Sequence, residues 1–199
     1  MTRFLLIALL ALPGCSALSA FSDATTPLGV YELRAPEDIP AAPRQRPYNV
    51  TVEMPTTTGA LDTDRILIKP SPLAAEYLPE VRWGEDVPTM VQSLLLRSLQ
   101  RTNALAYVGR EPLGLSGDIA IVTDVIDFQA ETAGEGALVR LALSIQLVRE
   151  SDVTILASRT FTAEAASPTT ETEALVAAFD TASDTLLRAF AAWVTDGLR

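Results

Sequence analysis

Residues 117–149, GDIAIVTDVIDFQAETAGEGALVRLALSIQLVR, decide the fold of this 199-residue chain. In their second half, large apolar residues alternate with polar or small ones, which predicts a half-buried strand over 138–149. The apolar positions are Val139, Leu141, Leu143, Ile145 and Leu147. The segment Ala133-Gly134-Glu135-Gly136 precedes this strand, and its glycines predict a hairpin turn.

The first half of the same stretch predicts a central strand over 117–130. Its apolar side chains occupy both faces, with Ile119, Ile121 and Val125 on one and Val122, Ile126 and Phe128 on the other. Two apolar faces are typical of a strand that is covered on both sides. A polar turn at 150–152 and an apolar segment at 153–161 then predict a third strand, beside the second in a meander.

Two amphipathic helices flank this meander in the sequence. The C-terminal one has an apolar stripe at Leu175, Phe179, Ala182, Leu186, Phe190 and Trp193. Thr170 and Glu173 have the spacing of a capping box at its start. Residues 86–103 predict the other helix, which Asp86 can cap and in which Pro88 falls within the first turn. Its stripe is Val87, Met90, Val91, Leu94, Leu95 and Leu99. We interpret it as a core helix, with a partner-binding helix as the alternative.

The N-terminal part carries shorter elements. A pattern of period two predicts a strand over 48–54, and we interpret 30–33 and 65–69 as two further strands. The four prolines of 35–47 predict a loop, because proline lacks the amide hydrogen that helices and sheets use. The apolar face of the second strand holds Val50, Val52 and Met54.

The elements therefore follow the order ββ(β)αβββα. With hairpin connections, this order predicts the α+β class, an antiparallel sheet with two amphipathic helices packed on one face. We expect a single domain over residues 30–199, since no internal repeat and no second domain is visible.

The first residues predict a lipoprotein signal peptide over 1–14. Arg3 precedes an apolar run at 4–12 that is shorter than the ~20 residues a spanning helix needs. Leu12-Pro13-Gly14-Cys15 then places the only cysteine of the chain at the new N-terminus, where lipidation of Cys15 explains it. The alternative is a secreted protein with a chance cysteine near its cleavage site.

Residues 15–29 are small and polar, and we expect them to form a flexible lipidated tether ahead of the domain. The residue after Cys15 is Ser16, not the aspartate that favours retention in the inner membrane. This predicts a cell-envelope protein anchored in the outer membrane and facing the periplasm.

Composition argues against several classes of function. The formal net charge is −10, and it becomes one unit more negative when Arg3 is removed, which argues against nucleic-acid binding. The chain has no histidine, the commonest general base and metal ligand, and Lys69 is its only lysine. We therefore predict a protein that is not an enzyme and needs no cofactor.

The acidic residues do not form a pattern typical of a catalytic or metal-binding site. Asp62-Thr63-Asp64-Arg65 could hold a hard cation, but we interpret it as a turn, because the glycine and distal glutamate of a calcium loop are missing. Asp124 and Asp127 lie three apart in a predicted strand, so we expect them on opposite faces. The sequence thus predicts no catalytic residue and no metal site.

Aromatic residues near the first helix have two possible roles. Tyr77, Trp83 and Tyr107 could cover the core or serve as exposed anchors for a partner. Tryptophan and arginine are enriched at the centres of interfaces, so Arg82 and Trp83, with Tyr77, are the candidate partner-binding residues.

Segments along nearly the whole mature chain resemble a known family. They are Leu12–Cys15, Tyr31-Glu32-Leu33, Leu61-Asp62-Thr63-Asp64-Arg65-Ile66, Tyr77, Val81-Arg82-Trp83, Val91-Gln92, Asp127-Phe128-Gln129-Ala130-Glu131, Leu147-Val148-Arg149, Ser158-Arg159-Thr160-Phe161 and Ala177-Ala178-Phe179-Asp180. With them the chain resembles the ABC-type transport auxiliary lipoproteins, the PqiC-like lipoproteins that work with MCE-domain systems.

The resemblance implies a non-enzymatic accessory subunit of an intermembrane lipid transport system. Its implied partners are the membrane, through lipid on Cys15, an MCE-domain protein with an ABC permease and ATPase, and further copies of the chain in a homo-oligomer. Phospholipid is a further candidate partner, because strands and helices could enclose either a dry core or a pocket. The alternatives are therefore a periplasmic lipid-binding carrier and an outer-membrane assembly lipoprotein.

Overall fold

A computed structural model describes residues 27–114 and 117–198, so residues 1–14, Cys15 and most of the predicted tether lie outside the described part. The described residues form nine strands, two α-helices and a short 3-10 helix. The strands are β1 Gly29–Tyr31, β2 Arg46–Val52, β3 Leu67–Ser71, β4 Ala74–Tyr77, β5 Val81–Trp83, β6 Leu105–Gly109, β7 Ile119–Ala133, β8 Gly136–Arg149 and β9 Thr154–Ser167. The helices are α1 Val87–Arg101, α2 Thr172–Gly197 and the 3-10 turn Gly59–Leu61.

The meander β7-β8-β9 is the framework of the fold, as the sequence predicts. β7 and β8 remain paired up to Ala133 and Gly136. Gly134 and Glu135 form the two-residue loop between them. Gly134 has φ +63°, a conformation that glycine adopts without strain and that such tight hairpins require. All five predicted apolar positions of β8 are buried.

β7 differs from its prediction because it contains a bulge. The pairing skips from Val125 to Asp127, so Ile126 is an extra residue and the inward face changes from odd to even positions. Phe128 is therefore buried on the same face as Val125, whereas Val122 and Ile126 are 40% and 47% exposed. The expectation that both faces are covered along the whole strand is wrong at these two positions.

The other edge of β7 is shared by two strands that run parallel to it. β2 pairs with residues 119–121 and β3 with residues 129–131. β6 then adds to β2, also in parallel, and β4 adds to β3 as a hairpin. The sheet is therefore mixed, although the α+β class with two helices on one face is confirmed.

The N-terminal strands deviate in detail from the period-two pattern. Val50 and Val52 are buried as predicted, but so is Thr51 on the opposite face, where Gly117 of the β6–β7 connection lies against it. Met54 lies beyond β2 and is half exposed. Pro70 lies within β3, although the predicted strand ended at residue 69, and the strands β4, β5 and β6 were not predicted at all.

Both helices form where the sequence predicts them. Asp86 caps α1 by accepting a hydrogen bond from the Thr89 amide at 2.8 Å, and the apolar stripe of α1 is buried. The N-cap of α2 is Glu171, one residue later than the proposed Thr170, and it makes no side-chain cap bond, so the predicted capping box does not form. In the α2 stripe every residue is buried except Trp193, which is partly exposed.

Residues 32–45, which we call the strap, cross the helical layer before β2 begins. Arg101 of α1 donates to the carbonyl groups of Ala35 and Pro36, and Arg188 of α2 donates to the Asp38 carbonyl at 2.5 Å. A hydrogen bond with Asp184 raises the pKa of the Arg188 guanidinium, so this group stays charged. The strap thus fastens α1 to α2.

No helix among the described residues is long and apolar enough to cross a membrane.

Candidate functional site

Trp83 lies in the core and not at the surface. Its side chain is fully buried in β5 and packs against the rings of Phe128 of β7 and Phe179 of α2, whose centroids lie 6.1 and 5.2 Å away. Both contacts are edge-to-face, the geometry that aromatic pairs prefer. Of the two possibilities that the sequence leaves open, the structure places Trp83 with the core residues and removes it from the candidate interface.

Arg82 points the other way and is accessible. One guanidinium nitrogen lies 3.1 Å from the Asp64 carboxylate, and both side chains are about one-third exposed, at 36% and 37%. The alternation of β5 explains the split, because neighbouring residues of a strand face opposite sides. Asp64 itself belongs to the acidic turn, in which the Thr63 hydroxyl accepts a hydrogen bond from the Arg65 amide.

Tyr77 lies close to the same turn. Its hydroxyl donates to the Ala60 carbonyl at 3.1 Å, and the Arg65 guanidinium stands 5.6 Å from its ring centroid. The ring is 39% exposed. Residues 60–65 therefore connect two of the three predicted partner-binding residues, and we call Asp64, Arg65, Tyr77 and Arg82 the Arg82 surface.

Tyr107, the third aromatic residue considered, is partly buried, and its hydroxyl donates to the Glu111 carbonyl. Gln92 was named only within a segment that carries the family resemblance and not as a site residue, yet it is a buried polar residue of α1. Its amide donates to the Val52 carbonyl and accepts from Arg110, which holds α1 against β2. The signal available in the sequence was a glutamine directly after the stripe residue Val91.

The carboxylates of β7 are engaged in hydrogen bonds on the open face of the sheet. The bulge places Asp124 and Asp127 on the same face, not on opposite faces as expected, because their partners on β8 are Ser144 and Ala142. Asp124 accepts from the Thr56 hydroxyl, and Asp127 accepts from the amide of Gln129. Within residues 27–114 and 117–198, no cluster of three or more potential metal-ligating side chains is present.

The space between the sheet and the helices is nearly filled. A cavity of about 10 Å³ remains there, enough for about one water molecule. Pockets that hold drug-sized ligands measure about 300–1,000 Å³. The lining residues are Val91, Leu94, Phe128, Leu141, Leu143, Ser183, Leu186 and Leu187. In this conformation the interior is a packed core and has no room for a lipid chain.

The larger clefts are open grooves on the surface. One of about 380 Å³ lies beside the start of α1, where Asp86 caps the helix and Asp62 stands opposite. Another of about 330 Å³ lies under the β3–β4 hairpin, next to Lys69 and Glu131. Neither groove joins carboxylates into a catalytic or metal-binding arrangement.

Solved structures share this α+β arrangement of one sheet and two helices. Protein XCC0632 from Xanthomonas campestris superposes with a TM-score of 0.72 at 24% identity, over 84% of this chain and 95% of that one. Protein CT253 from Chlamydia trachomatis superposes with a TM-score of 0.52 at 9% identity, over 76% of this chain and 98% of that one. These similarities establish the fold.

The family follows from the sequence match. Residues 31–191 match the model of the ABC-type transport auxiliary lipoprotein component, and the chain belongs to that family. An uncharacterized protein of Bradyrhizobium diazoefficiens, bll6063, is 28% identical over 167 residues. The match covers 82% of this chain and 44% of that protein, so the chain spans less than half the length of this relative. The resemblance stated from the sequence is thereby confirmed.

Proposed function

We propose that this protein is a non-enzymatic accessory subunit of an MCE-type intermembrane lipid transport system, anchored by lipid on Cys15 in the outer membrane and facing the periplasm. The observation that carries the proposal is the family match over residues 31–191, since that family comprises transport auxiliary lipoproteins. The sequence Leu12-Pro13-Gly14-Cys15 supports the anchor.

The chemistry of the domain supports a binding role. The chain has no histidine, and its β7 carboxylates are occupied by hydrogen bonds within the sheet. The packed interior favours a docking subunit over a carrier that encloses lipid. In this proposal the domain contributes surfaces to an assembly, and lipid passes through the assembly without entering the domain.

The Arg82 surface is the proposed contact with the MCE-domain partner. It combines an arginine and a tyrosine, both enriched at interfaces, and hydrogen bonds join both side chains to the turn at residues 60–65. An exposed ion pair such as Arg82–Asp64 adds only about 0–1 kcal/mol to stability. The residue can therefore be replaced without unfolding the domain.

Arg82→Ala is expected to weaken capture of the MCE-domain partner about tenfold or more, with a melting temperature close to that of the native protein. Arg149→Ala is the matched control, because Arg149 also forms an exposed ion pair, with Asp152 at 3.0 Å. Binding of both full-length variants to the partner would be measured by pull-down and titration.

Equal binding by the Arg82→Ala and Arg149→Ala proteins would reject the Arg82 surface as the contact. Failure of the native protein to capture an MCE-domain partner would reject the transport assignment itself. Native mass spectrometry addresses the carrier alternative, since stoichiometric phospholipid retained by the purified protein would require a pocket that opens in solution.

A further inference from the structure

Several turns of the fold meet at one end of the sheet. Lys69 of β3 pairs with Glu131 of β7, so the β3–β4 turn stands level with the β7–β8 turn at Gly134. β9 also ends here, because Ser167 pairs with Ala137 just after that turn. We call this the hairpin end.

The chain enters the domain at the hairpin end. The Tyr31 hydroxyl lies 3.4 Å from the carboxylate of Glu173 in the first turn of α2, which begins directly after β9. Arg34 then pairs with Asp180, about two turns further along the helix. The chain thus runs away from the hairpin end after Tyr31, and the residues before it lead toward that end.

An exposed leucine stands on the β3–β4 turn at this end. Leu73 is 100% exposed, and the segment Pro70-Ser71-Pro72-Leu73-Ala74 carries no charged residue. The tip is fastened in place, since Ser71 pairs with Ala74 and the Thr132 hydroxyl donates to the Pro70 carbonyl. Prolines fix φ on both sides of Ser71, so the tip has little conformational entropy to lose on binding.

We propose that the hairpin end faces the bilayer and that Leu73 inserts into its interfacial region. The inference rests on the proposed lipid anchor, to which it adds a second contact made by the folded domain. Cys15 precedes Pro27 by twelve positions, a span of at most about 40 Å, so the point of chain entry at the hairpin end stays within that distance of an anchored Cys15.

The physical reason for insertion is the removal of apolar surface from water. Burying a leucine side chain favours the bound state roughly tenfold or more, and the uncharged tip avoids the cost of desolvating an ion. This gain is too small to recruit the protein alone, but it is sufficient to orient a domain that is already anchored. Leu28 and Val30, 42% and 51% exposed, add apolar surface to the entering segment.

The test measures the depth of residue 73 in a membrane. Cys15 is the only cysteine of the chain, so acylation leaves Leu73→Cys as the only free thiol, which can be labelled with the fluorophore NBD. The full-length acylated protein is reconstituted in vesicles of phosphatidylethanolamine with a minor share of phosphatidylglycerol. Leu113→Cys is the matched control, because Leu113 is 70% exposed in the connection that leads to the opposite end of β7.

We expect doxyl groups near the lipid headgroups to remove most of the NBD emission at position 73, with a blue-shifted spectrum, and little of it at position 113. Equal and weak quenching at both positions, in protein that floats with the vesicles, would overturn the membrane contact and leave the anchor intact. Protein that does not float with the vesicles at all would instead overturn the lipid anchor, and the present inference with it.

Discussion

Replacing Trp83 with alanine is expected to lower the free energy of unfolding by about 3–5 kcal/mol. The side chain is fully buried, and its removal leaves a cavity beside the stacked rings of Phe128 and Phe179, which would lose their edge-to-face contacts with it. For a chain of this length the melting temperature should fall by roughly 10 °C. Thermal and urea unfolding followed by circular dichroism measure both quantities.

Trp193→Ala is the control for this prediction. Trp193 is only partly buried, and its ring centroid lies 5.4 Å from that of Phe161 of β9. Its loss should cost less than half as much as the loss of Trp83. Comparable losses in both variants, or a change below about 1 kcal/mol for Trp83→Ala, would contradict the core position of Trp83.

Replacing Cys15 with alanine is expected to abolish membrane association while the domain remains folded. The proposal assigns anchoring to the acyl chains, whereas the described strands, helices and strap begin only at Gly29. Fractionation of cells, together with circular dichroism of the released protein, measures the two effects separately. Ser19→Ala, in the same segment, is the control and should stay with the membrane.

The choice of membrane can be tested with the neighbouring residue. Ser16→Asp introduces the residue that favours retention in the inner membrane, so the variant should move from the outer-membrane to the inner-membrane fraction of a sucrose gradient. Sedimentation of the Cys15→Ala protein with membranes would argue against the lipid anchor. An unchanged position of the Ser16→Asp protein would argue against the outer-membrane assignment.

Arg82 and Trp83 are neighbours in the sequence but differ in burial. Arg82 and Trp83 were grouped because tryptophan and arginine are enriched at the centres of interfaces, and no strand was predicted for their segment. The segment is instead the short strand β5, held by β1, and alternation along it sends Arg82 to the surface and Trp83 into the core. Its pairing partner lies about fifty residues earlier, so no local pattern could reveal the strand.

The sequence by itself determined the elements whose signals are local. The period of two along β8, the glycines of the β7–β8 turn and the apolar stripes of α1 and α2 all appear in the structure as predicted. These features depend on residues within one turn or one strand, where side-chain spacing and backbone freedom dictate the conformation.

Only the tertiary structure decided how the elements combine. The parallel attachment of β2 and β3 to β7, the bulge at Ile126 and the joining of Tyr77 and Arg82 to one turn depend on contacts between residues distant in sequence. An apolar strand fits several neighbours equally well, and burial against the helices selects one arrangement among them. The same selection brings the point of chain entry and Leu73 to one end of the domain, through the contact of Tyr31 with Glu173 and the pairing of β3 with β7.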